Sequence, residues 1–512
     1  MVNSFKLIII SLFSILLLSA CGESTTVNAE TNTVSGTVVD SSGRPVPTAT
    51  VSIMSDLIIT QADVDGVFSV QVPSGEHQLT VKKDDVTFID TMITVEPNAT
   101  TNLSVLTPTT SYEFERVLFS DLIFEDGNLA RCINEATSYG LHVYAHELTY
   151  LDCQSREIES IVGLDKLTSL RVLKLGKVFE TYLHKNNISD ISALSELTRL
   201  TDLDLGNNNI NDIGALSELT SLITLNLESN NISDITALTR MTSLVRLNLF
   251  HNNLSDISPL SGLTGLKGLR IGGNISDLSP LSGLTSLINL TLANRISSQQ
   301  LNGNISDISP LSGLTSLTYL RLETLGIIDI STLGGLINLK YISLWNNDIN
   351  DISALGGLAG LERLDLNLNN ISNIRDLSGM TSLISLNLAN NNISDINALV
   401  GLTHLTSLYL TNNNISDISA LAGLTHLTGL SLPSNNISDI SALQGLTNLT
   451  WLYLTDNNIN DITTLYGLTS LSTLSLGNNT DISCADYSAI VTSLGSDVVS
   501  PAATDGESCT AL

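Results

Sequence analysis

The sequence predicts a two-part protein, in which a small β-sandwich precedes a long solenoid of stacked parallel strands. One motif recurs about every 22 residues through 158–482, which is typical of a repeat array. Hydrophobic residues make up 42% of the chain but aromatic residues only 4%, so the core must be aliphatic. Residues 31–107 differ, because short alternating stretches are separated there by turn clusters.

The charge of the chain narrows the classes of partner. Lys and Arg number 22 against 51 Asp and Glu, for a net charge of −29. This sign disfavours nucleic acid as a partner, since phosphate binding needs basic side chains. With 14% charged and 42% hydrophobic residues, the chain does not have the composition of a disordered acidic protein.

Residues 1–20 have the pattern of an export signal. An apolar run at 7–18 is too short to span a bilayer and ends in Leu18-Ser19-Ala20-Cys21. This ending resembles the lipobox of bacterial lipoproteins. The resemblance implies cleavage before Cys21 and acylation of its thiol and new amino group, with 21–30 as a tether. We therefore expect a lipid-anchored protein of the cell envelope.

The resemblance also bears on location. Gly22, rather than Asp, follows the lipidated cysteine, which implies the outer membrane if the cell has two membranes. Elsewhere no apolar run reaches transmembrane length, so the lipid is the only membrane attachment that we expect. We expect the remainder of the chain to be exposed on the cell surface rather than to face the periplasm.

The other four cysteines lie in two groups near the ends of the solenoid. They allow three pairings, and the simplest is local: Cys132 with Cys153 and Cys484 with Cys509. An exported chain meets an oxidising compartment, in which disulfides persist. A zinc site is disfavoured, because no Cys-x2-Cys spacing is present. We expect neither a metal nor another cofactor.

The pattern of residues 31–107 predicts the β-sandwich. Alternating stretches at 34–39, 49–53, 67–70 and 77–81 are separated by turn clusters, which predicts short strands. The motifs G-T-V-x-D-x-x-G-x-P, D-x-D-G-x-F and P-x-G-x-H-x-L-x-V resemble the carboxypeptidase regulatory-like domain. The resemblance implies an accessory sandwich without catalytic residues, and we interpret it as a stiff spacer.

The solenoid motif is clearest in residues 200–219. It reads L-x-x-L-x-L-x-x-N-x-I-x-D-I-x-x-L-x-x-L, and its Leu and Ile side chains must share a core with neighbouring turns. The motif recurs about fourteen times and resembles the leucine-rich repeats of the internalins. That resemblance implies a parallel sheet on a concave face, short 3-10 or irregular segments on the convex side, and a role in adhesion or recognition.

Most repeats carry one asparagine at the same position of the motif, but this column is interrupted near an insertion at 295–302, where Gly273-Asn274 is shifted and Leu325 replaces Asn. The asparagine amide both donates and accepts hydrogen bonds, so it suits a buried turn that no strand ladder reaches. The predicted Asn column comprises Asn208, Asn230, Asn252, Asn347, Asn369, Asn391, Asn413, Asn435, Asn457 and Asn479.

A second column is acidic. Thirteen of fifteen anchor positions before an Ile or Leu are Asp. We interpret these carboxylates as caps that accept backbone N–H bonds at the start of each convex turn, rather than as a cation-binding ladder. Asn373 occupies the same position and would cap equally well.

The ends of the array need closing. Before it, within a linker and cap at 108–157, residues 126–140 predict a helix with Leu129, Cys132, Ile133 and Ala136 on one face, followed by a strand over 142–151. After it, the cap at 483–512 contains a predicted helix over 486–494.

Aromatic residues mark the predicted binding face. Of ten aromatic residues between 161 and 481, seven flank the core leucines at outward strand positions. Arginines share this surface, and aromatic residues with Arg are typical of interface cores. We predict that the concave face binds a partner through Phe250, Tyr319, Arg321, Tyr341, Trp345, Arg363, Tyr409, Trp451 and Tyr453.

The repeat loses its regularity in a few places. Eight-residue insertions at 177–184 and 295–302 follow a strand, and regularity is lowest from 271 to 328, where we expect a local bend. His404 and His426 are 22 residues apart, which indicates a solvated column rather than a metal pair.

We therefore predict a non-enzymatic, lipid-anchored protein that binds a macromolecular partner, most simply a protein. No nucleophile elbow, phosphate loop or metal-ligand constellation is present. Two alternatives stay open: a periplasmic scaffold or envelope-assembly factor, and a surface protein that binds glycans through its aromatic rings.

Overall fold

The structure is a computed structural model that describes residues 31–39, 45–53, 58–83, 86–97, 100–106, 119, 122–137, 144–177, 184–293, 305, 307–479, 482–495 and 497–500. The chain divides into two compact units, one up to Arg116 and one from Val117.

The first unit is a β-sandwich of two sheets. One sheet has the order β4-β1-β7 and the other β3-β2-β5-β6. β1 pairs antiparallel with β4 and parallel with β7. The strands are β1 (Thr31–Val38), β2 (Thr50–Ile53), β3 (Ile58–Gln61), β4 (Val67–Pro73), β5 (Gly75–Lys83), β6 (Val86–Val95) and β7 (Thr101–Leu106).

Alternating side chains of both sheets form the sandwich core. Val34, Val51, Phe68 and Val81 are among its buried members, so the four predicted strands are confirmed. Between β3 and β4, the Asp63 carboxylate accepts hydrogen bonds from the backbone N–H groups of two following residues, at 2.9 and 2.8 Å. This oxygen therefore serves a tight turn.

The second unit is the leucine-rich repeat solenoid. Its sixteen strands lie in sequence order in one sheet, and every neighbouring pair is parallel. They are β8 (Tyr150–Asp152), β9 (Val172–Lys174), β10 (Asp202–Asp204), β11 (Thr224–Asn226), β12 (Arg246–Leu254), β13 (Gly268–Gly273), β14 (Asn289–Ala293), β15 (Tyr319–Glu323), β16 (Tyr341–Ser343), β17 (Arg363–Asp365), β18 (Ser385–Asn387), β19 (Ser407–Tyr409), β20 (Gly429–Ser431), β21 (Trp451–Tyr453), β22 (Thr473–Ser475) and β23 (Val499–Ser500).

Short 3-10 turns return the chain to the next strand. They have three to five residues each and place one Leu in the core. The first turn, Leu164–Lys166, follows β8. One turn then follows each strand from β9 to β21, and in order these are Ser192–Leu194, Gly214–Leu216, Thr236–Leu238, Ser258–Leu260, Ser279–Leu281, Ser309–Leu311, Ser331–Gly335, Ser353–Gly357, Arg375–Gly379, Asn397–Leu399, Ser419–Leu421, Ser441–Leu443 and Thr463–Gly467.

The core of the solenoid is one continuous aliphatic column. Repeat positions such as Leu200, Leu203, Leu205, Ile210 and Ile213 are buried, and their equivalents in the neighbouring turns contact them. Each repeat buries its apolar side chains only against the next one, so the array is stable as a stack and not as separate units.

The N-terminal cap covers the first turn. Helix α1 (Gly127–Thr137) buries Leu129, Cys132 and Ile133, and Cys132 forms the predicted disulfide with Cys153. The prediction for Ala136 is wrong, because this side chain is exposed.

The strand predicted over 142–151 is also largely wrong. A 3-10 turn (Ala145–Glu147) occupies its middle, and of the described residues 144–151 only Tyr150 and Leu151 belong to a strand, β8. In this turn the Glu147 carboxylate accepts a hydrogen bond from the Tyr144 backbone N–H at 3.0 Å, which favours a local turn over a strand.

The C-terminal cap contains the predicted helix. Helix α2 (Cys484–Leu494) begins after Ser483, whose hydroxyl accepts the Asp486 backbone N–H at 3.1 Å. Cys484 is disulfide-bonded, and its predicted partner Cys509 lies outside the described residues. β23 then adds the last strand to the sheet. None of the helices in the described part of the chain has the length and apolar composition needed to cross a membrane.

Candidate binding face

The outward face of the long sheet is built by the alternation within each x-L-x-L-x segment. In β16 and the two residues after it, Ile342 and Leu344 are buried, so Tyr341, Ser343 and Trp345 alternate to the other face. Parallel register then aligns equivalent positions of successive strands. The concave face thus has three outward columns, here called the first, second and third column.

A central cluster lies where these columns cross β15 to β17. Tyr319 and Tyr341 pair in register, and their rings stack with centroids 4.4 Å apart and planes 8° apart. Arg363 follows Tyr341 in the first column, and Trp345 lies in the third. The central cluster comprises Tyr319, Arg321, Glu323, Tyr341, Ser343, Trp345 and Arg363.

A charged pair fixes the floor of the central cluster. The Arg321 guanidinium donates two hydrogen bonds to the Glu323 carboxylate, at 2.8 and 2.7 Å. Ser343 donates a third to the same carboxylate at 2.6 Å. These bonds with Glu323 raise the pKa of Arg321. A bidentate, hydrogen-bonded pair of this kind holds its side chains in one geometry.

Burial changes the acidity of two groups beside this pair. Desolvation raises the pKa of Tyr341, and the neighbouring Tyr319 adds to the effect. Desolvation also raises the pKa of Asp365, although the Asn367 backbone N–H opposes it. Within the cluster, Glu323 and Ser343 are buried and Tyr319, Arg321 and Tyr341 are half-buried. The cluster is therefore partly dehydrated, and charge-bearing contacts there are stronger than in open water.

A second group of rings lies on β19 to β21. Trp451 stands 5.4 Å from Tyr409 and 5.5 Å from Tyr453 between ring centroids, at angles of 31° and 30°. The indole lies across Gly429, and a Cβ built at that glycine would overlap the ring atoms Cζ2 and Cε2. Tyr409 and Tyr453 are 36% and 37% exposed, so these rings are available to a ligand.

Phe250 forms a third, smaller site on β12. The Arg270 guanidinium lies 5.2 Å from the centroid of its ring, which is a cation–π distance. Arg270 also lies 3.6 Å from the Glu228 carboxylate. The His251 ring also packs against Phe250, with centroids 4.1 Å apart. This ring is thus already engaged by its neighbours.

The Asn column lies beneath the concave face and holds the repeats together. The Asn413 amide donates to the carbonyl oxygens of Leu388 and Leu410, at 3.0 and 3.1 Å. Its oxygen accepts the Ile393 backbone N–H at 3.0 Å. All ten predicted members are buried. Because each amide bonds to two successive repeats, the column supplies hydrogen bonds where the strand ladder has ended.

The column is interrupted between Asn252 and Asn347, as the sequence predicts, and backbone pairing takes its place. β12 extends to Leu254, which pairs with Gly273 of β13. A Cβ at Gly273 would overlap the Leu254 carbonyl oxygen, and one at Gly272 would lie 2.8 Å from the Ala293 oxygen. The two glycines therefore permit neighbouring backbones to approach closely.

The acidic column has the geometry of caps. Each carboxylate accepts the backbone N–H of the residue two positions later, as Asp417 does from Ser419 at 2.8 Å, and Asn373 does the same for Arg375 at 3.1 Å. The capping residues are Asp190, Asp212, Asp234, Asp256, Asp277, Asp307, Asp329, Asp351, Asp395, Asp417, Asp439 and Asp461. Among the described residues, no group of three His, Cys, Asp or Glu side chains has metal-binding geometry.

The two histidines also bond along the stack. His404 Nδ1 lies 3.0 Å from the Thr381 carbonyl oxygen and His426 Nδ1 lies 2.9 Å from that of Thr403. Asn338 and Asn448 make the same contact with the preceding repeat. These exposed imidazoles therefore occupy a structural hydrogen-bonding position.

Comparison with protein families supports both parts of the fold. The carboxypeptidase regulatory-like domain matches residues 33–107. A model of two leucine-rich repeats matches residues 198–240, 220–262, 242–283, 337–379, 381–423 and 403–445. No curated protein sequence matches the chain significantly.

Solved structures identify the type of repeat. An internalin, InlF, from Listeria monocytogenes is 33% identical, with a TM-score of 0.56, over 71% of this chain and 98% of that one. The chain belongs to the internalin family of leucine-rich repeat proteins. Two further structures share the fold at lower identity. The functional domain of Listeria monocytogenes InlJ is 24% identical over 72% of this chain and 77% of that one, with a TM-score of 0.58. A Leptospira interrogans leucine-rich repeat protein is 21% identical over 70% and 96%, with a TM-score of 0.57.

In this internalin-type protein, the predicted binding residues do not form one continuous site. Tyr319, Arg321, Tyr341, Trp345 and Arg363 come together in the central cluster. Tyr409, Trp451 and Tyr453 form the separate ring group, and Phe250 lies apart from both. Cys21 and most of both insertions lie outside the described residues, so those predictions stay predictions.

Three residues that form this face or lie beneath it were not predicted from the sequence. Glu323 is buried under Arg321, and its outward position two residues after Arg321 was the available signal. Gly429 makes room for Trp451. Asn186 is a further column member, accepting from the Arg156 and Ile158 backbone N–H groups at 3.0 Å each, and it lies 22 residues before Asn208.

Proposed function

We propose that the protein recognises a protein partner through the concave face of its solenoid, with the central cluster as the main contact, while a lipid at Cys21 holds it in the cell envelope. Leucine-rich repeat proteins of the internalin type mediate protein binding and recognition. Within that class, the composition of the central cluster indicates where this chain makes its contact.

The observation that carries the proposal is the combination of preorganised rings and guanidiniums on one rigid sheet. The Tyr319–Tyr341 stack stands beside Arg321, whose position is fixed by Glu323. Arg363 is exposed and has no carboxylate within 4.0 Å in the part of the chain that the structure describes. Aromatic residues and Arg in a partly dehydrated cluster are the composition of binding hot spots.

The rings of the central cluster are not needed for the core. Leu320, Leu322, Ile342 and Leu344 already fill the interior beneath them. Rigid side chains also lose little conformational entropy on binding, because packing has already restricted them. A partner that offers an acidic group to Arg363 and an apolar surface to the rings would fit this arrangement.

Photo-crosslinking tests the contact directly. A photoreactive phenylalanine analogue would replace Trp345 in the full chain, and a control variant would carry it at Ile337, which is 66% exposed and lies outside the outward strand columns. We expect a covalent protein adduct in cells from position 345, and its loss when Arg363→Ala is added. Adducts from position 337 alone, or equal adducts from both, would contradict the proposed face.

A second experiment tests the anchor and the side of the membrane. Cys21→Ser should release the protein from the membrane fraction, because one acyl-bearing residue is then lost. Protease treatment of intact cells should digest the wild-type solenoid if it is exposed outside. Protection until the envelope is opened would instead favour the scaffold alternative, with a partner inside the envelope.

A further inference from the structure

The concave face changes its chemistry abruptly after β17. Its outward positions from β8 to β17 carry eleven charged side chains, of which Asp365 is the last. The next five strand segments, 385–389, 407–411, 429–433, 451–455 and 473–477, carry none at their fifteen outward positions. In a chain with net charge −29, this stretch is here called the uncharged platform.

Three rings form the centre of the uncharged platform. Trp451 lies between Tyr409 and Tyr453, with all neighbouring planes within about 31° of each other. Gly429 supports the indole from below, because any side chain at that position would displace it. The ring faces are therefore held in place on the sheet before any ligand arrives.

Hydroxyl and amide groups lie around these rings, with one carboxylate, that of Asp456, in the flanking column. The Thr411 and Ser431 hydroxyls are 2.8 Å apart. Beside them, Asn412 donates to the Asn390 amide oxygen at 2.9 Å, and Asn390 donates to Asn367 at 2.8 Å. Such groups both donate and accept hydrogen bonds, so they match a ligand that is itself rich in hydroxyl groups.

We propose that the uncharged platform binds a neutral glycan chain. The electron-rich faces of the three rings attract the C–H faces of sugar rings, and the surrounding hydroxyls and amides match the sugar hydroxyls. Sialylated, sulfated or uronic acid glycans would bring charges for which the platform has no partner. This ligand and its site are additional to the protein contact at the central cluster.

A protein ligand fits the platform less well. Charged residues make up about 25% of typical proteins, and protein interfaces are enriched in Arg. The outward strand positions of the platform offer no carboxylate or guanidinium to satisfy such groups. Asp456, at the flanking position equivalent to Asn412, already accepts a hydrogen bond from the Asn478 amide at 2.8 Å. Burying charged groups there would therefore be costly. A protein that binds here instead of a glycan is one outcome of the experiment below.

The experiment uses the full chain in detergent on an array of neutral, sialylated and sulfated glycans, followed by titration with soluble maltohexaose, cellohexaose and chitohexaose. We expect binding to at least one neutral glycan, with a change in Trp fluorescence and no weakening as salt rises from about 50 to about 500 mM. Binding to acidic glycans alone, or to no glycan, would overturn the proposal.

Two variants with a matched control locate the site. Gly429→Val fills the space under the indole and Trp451→Ala removes the ring, and each should weaken neutral glycan binding by roughly ten-fold. Tyr341→Ala, in the central cluster, should leave glycan binding unchanged. If Gly429→Val fails to fold, Tyr453→Ala, on an exposed side chain, replaces it.

The same variants separate the two proposals. Trp451→Ala should retain the protein adduct at position 345, whereas Arg363→Ala should lose the adduct and retain glycan binding. Glycan binding that persists in both Trp451→Ala and Tyr453→Ala would place the glycan elsewhere and overturn this inference alone. A protein adduct formed from a photoreactive group at position 409, without glycan binding, would also overturn it.

Discussion

Two stretches of the solenoid satisfy the same backbone groups by different means. Between Asn347 and Asn479, a buried side-chain amide in each repeat bonds to the backbone of two successive turns. Between Asn252 and Asn347 the amides are missing, and longer strands such as β12 and β13 continue the backbone pairing instead. In the first stretch, an amide links the repeats; in the second, glycines allow direct backbone contact.

The difference shows what a regular repeat requires. Polar backbone groups at a buried turn must be paired, whatever supplies the partner. Between Asn347 and Asn479 an amide does this at a fixed sequence spacing, and the repeats there keep one length. Asn186 shows that an amide also accommodates an insertion, because its Leu175 acceptor lies 11 residues earlier instead of 3. Backbone pairing needs no particular side chain beyond Gly at the closest approach, and it is found in a second stretch in which the repeat length varies.

Substitution of Asn347, at the boundary between the two stretches, should lower the stability of the fold more than any other change considered below. Asn347 accepts two backbone N–H bonds, from Leu325 and Ile327, at 3.1 Å each. Asn347→Leu leaves both donors buried, and we expect it to cost about 4 kcal/mol in the free energy of unfolding. Urea denaturation followed by circular dichroism measures this. A loss of stability smaller than that caused by Asn413→Leu, within the regular stretch, would refute the special role of this boundary.

Loss of an amide within the regular stretch should reduce the free energy of unfolding by less. Asn413→Leu leaves one N–H, that of Ile393, without its acceptor, while the two Leu carbonyl oxygens keep a bond from the neighbouring amides. We expect a loss of about 2.5 kcal/mol by the same measurement. The exposed neighbour Asn414 is the control, and Asn414→Ala should change stability by less than about 0.5 kcal/mol.

In the glycine-linked stretch, added side-chain volume should be the damaging change. Gly273→Ala forces a Cβ against the Leu254 carbonyl oxygen, and we expect a loss of about 2 kcal/mol. The matched control is Gly262→Ala, because the nearest atom to its Cβ would be 3.9 Å away. Equal effects of the two substitutions on the denaturation midpoint would show that the close approach at Gly273 is unimportant.

The acidic caps should make the smallest of these contributions to stability, and it should depend on pH. The backbone N–H of Ser419 lowers the pKa of Asp417, and that of Ser441 lowers the pKa of Asp439. At Asp461 the Thr463 hydroxyl and then its backbone N–H lower the pKa. A lowered folded-state pKa contributes stability above the unfolded pKa, about 4, and this is lost as the pH falls through the folded value. Replacing all three by Asn should flatten the acid limb of the stability curve.

Asn373 provides the comparison within the same column. It caps its turn without a charge, so Asn373→Ala should reduce stability equally at all pH values. Denaturation midpoints measured from about pH 2 to about pH 6 test this, across the range in which ordinary carboxyl groups titrate. An unchanged acid limb in the triple Asn variant would contradict the assignment of the caps.

Most of the solenoid was predictable because its partners are fixed by sequence spacing. The core Leu and Ile positions, the Asn column and the capping Asp residues follow from a 22-residue period. The cap helix α1 and the Cys132–Cys153 disulfide were also predicted correctly. Local hydrogen bonding explains the failure at 142–151, because Glu147 stabilises a turn that alternation alone does not reveal.

The binding face was predictable only by position. Outward strand positions could be read from the alternation, but which rings would meet depended on register across several strands. Sequence spacing did not reveal that Arg321 would be held by Glu323, or that Gly429 would lie under Trp451. These contacts depend on side-chain direction, and they divide the predicted set into separate groups.

The fixed bonding of the Asn column has a consequence for how such a gene changes. Asn435 and Asn457 each bond to the Ile backbone 20 residues earlier and to Leu carbonyl groups 3 and 25 residues earlier. In-frame loss or duplication of one 22-residue unit therefore returns every amide to partners of the same kind. The array can change its length by unequal recombination while its interior chemistry stays the same.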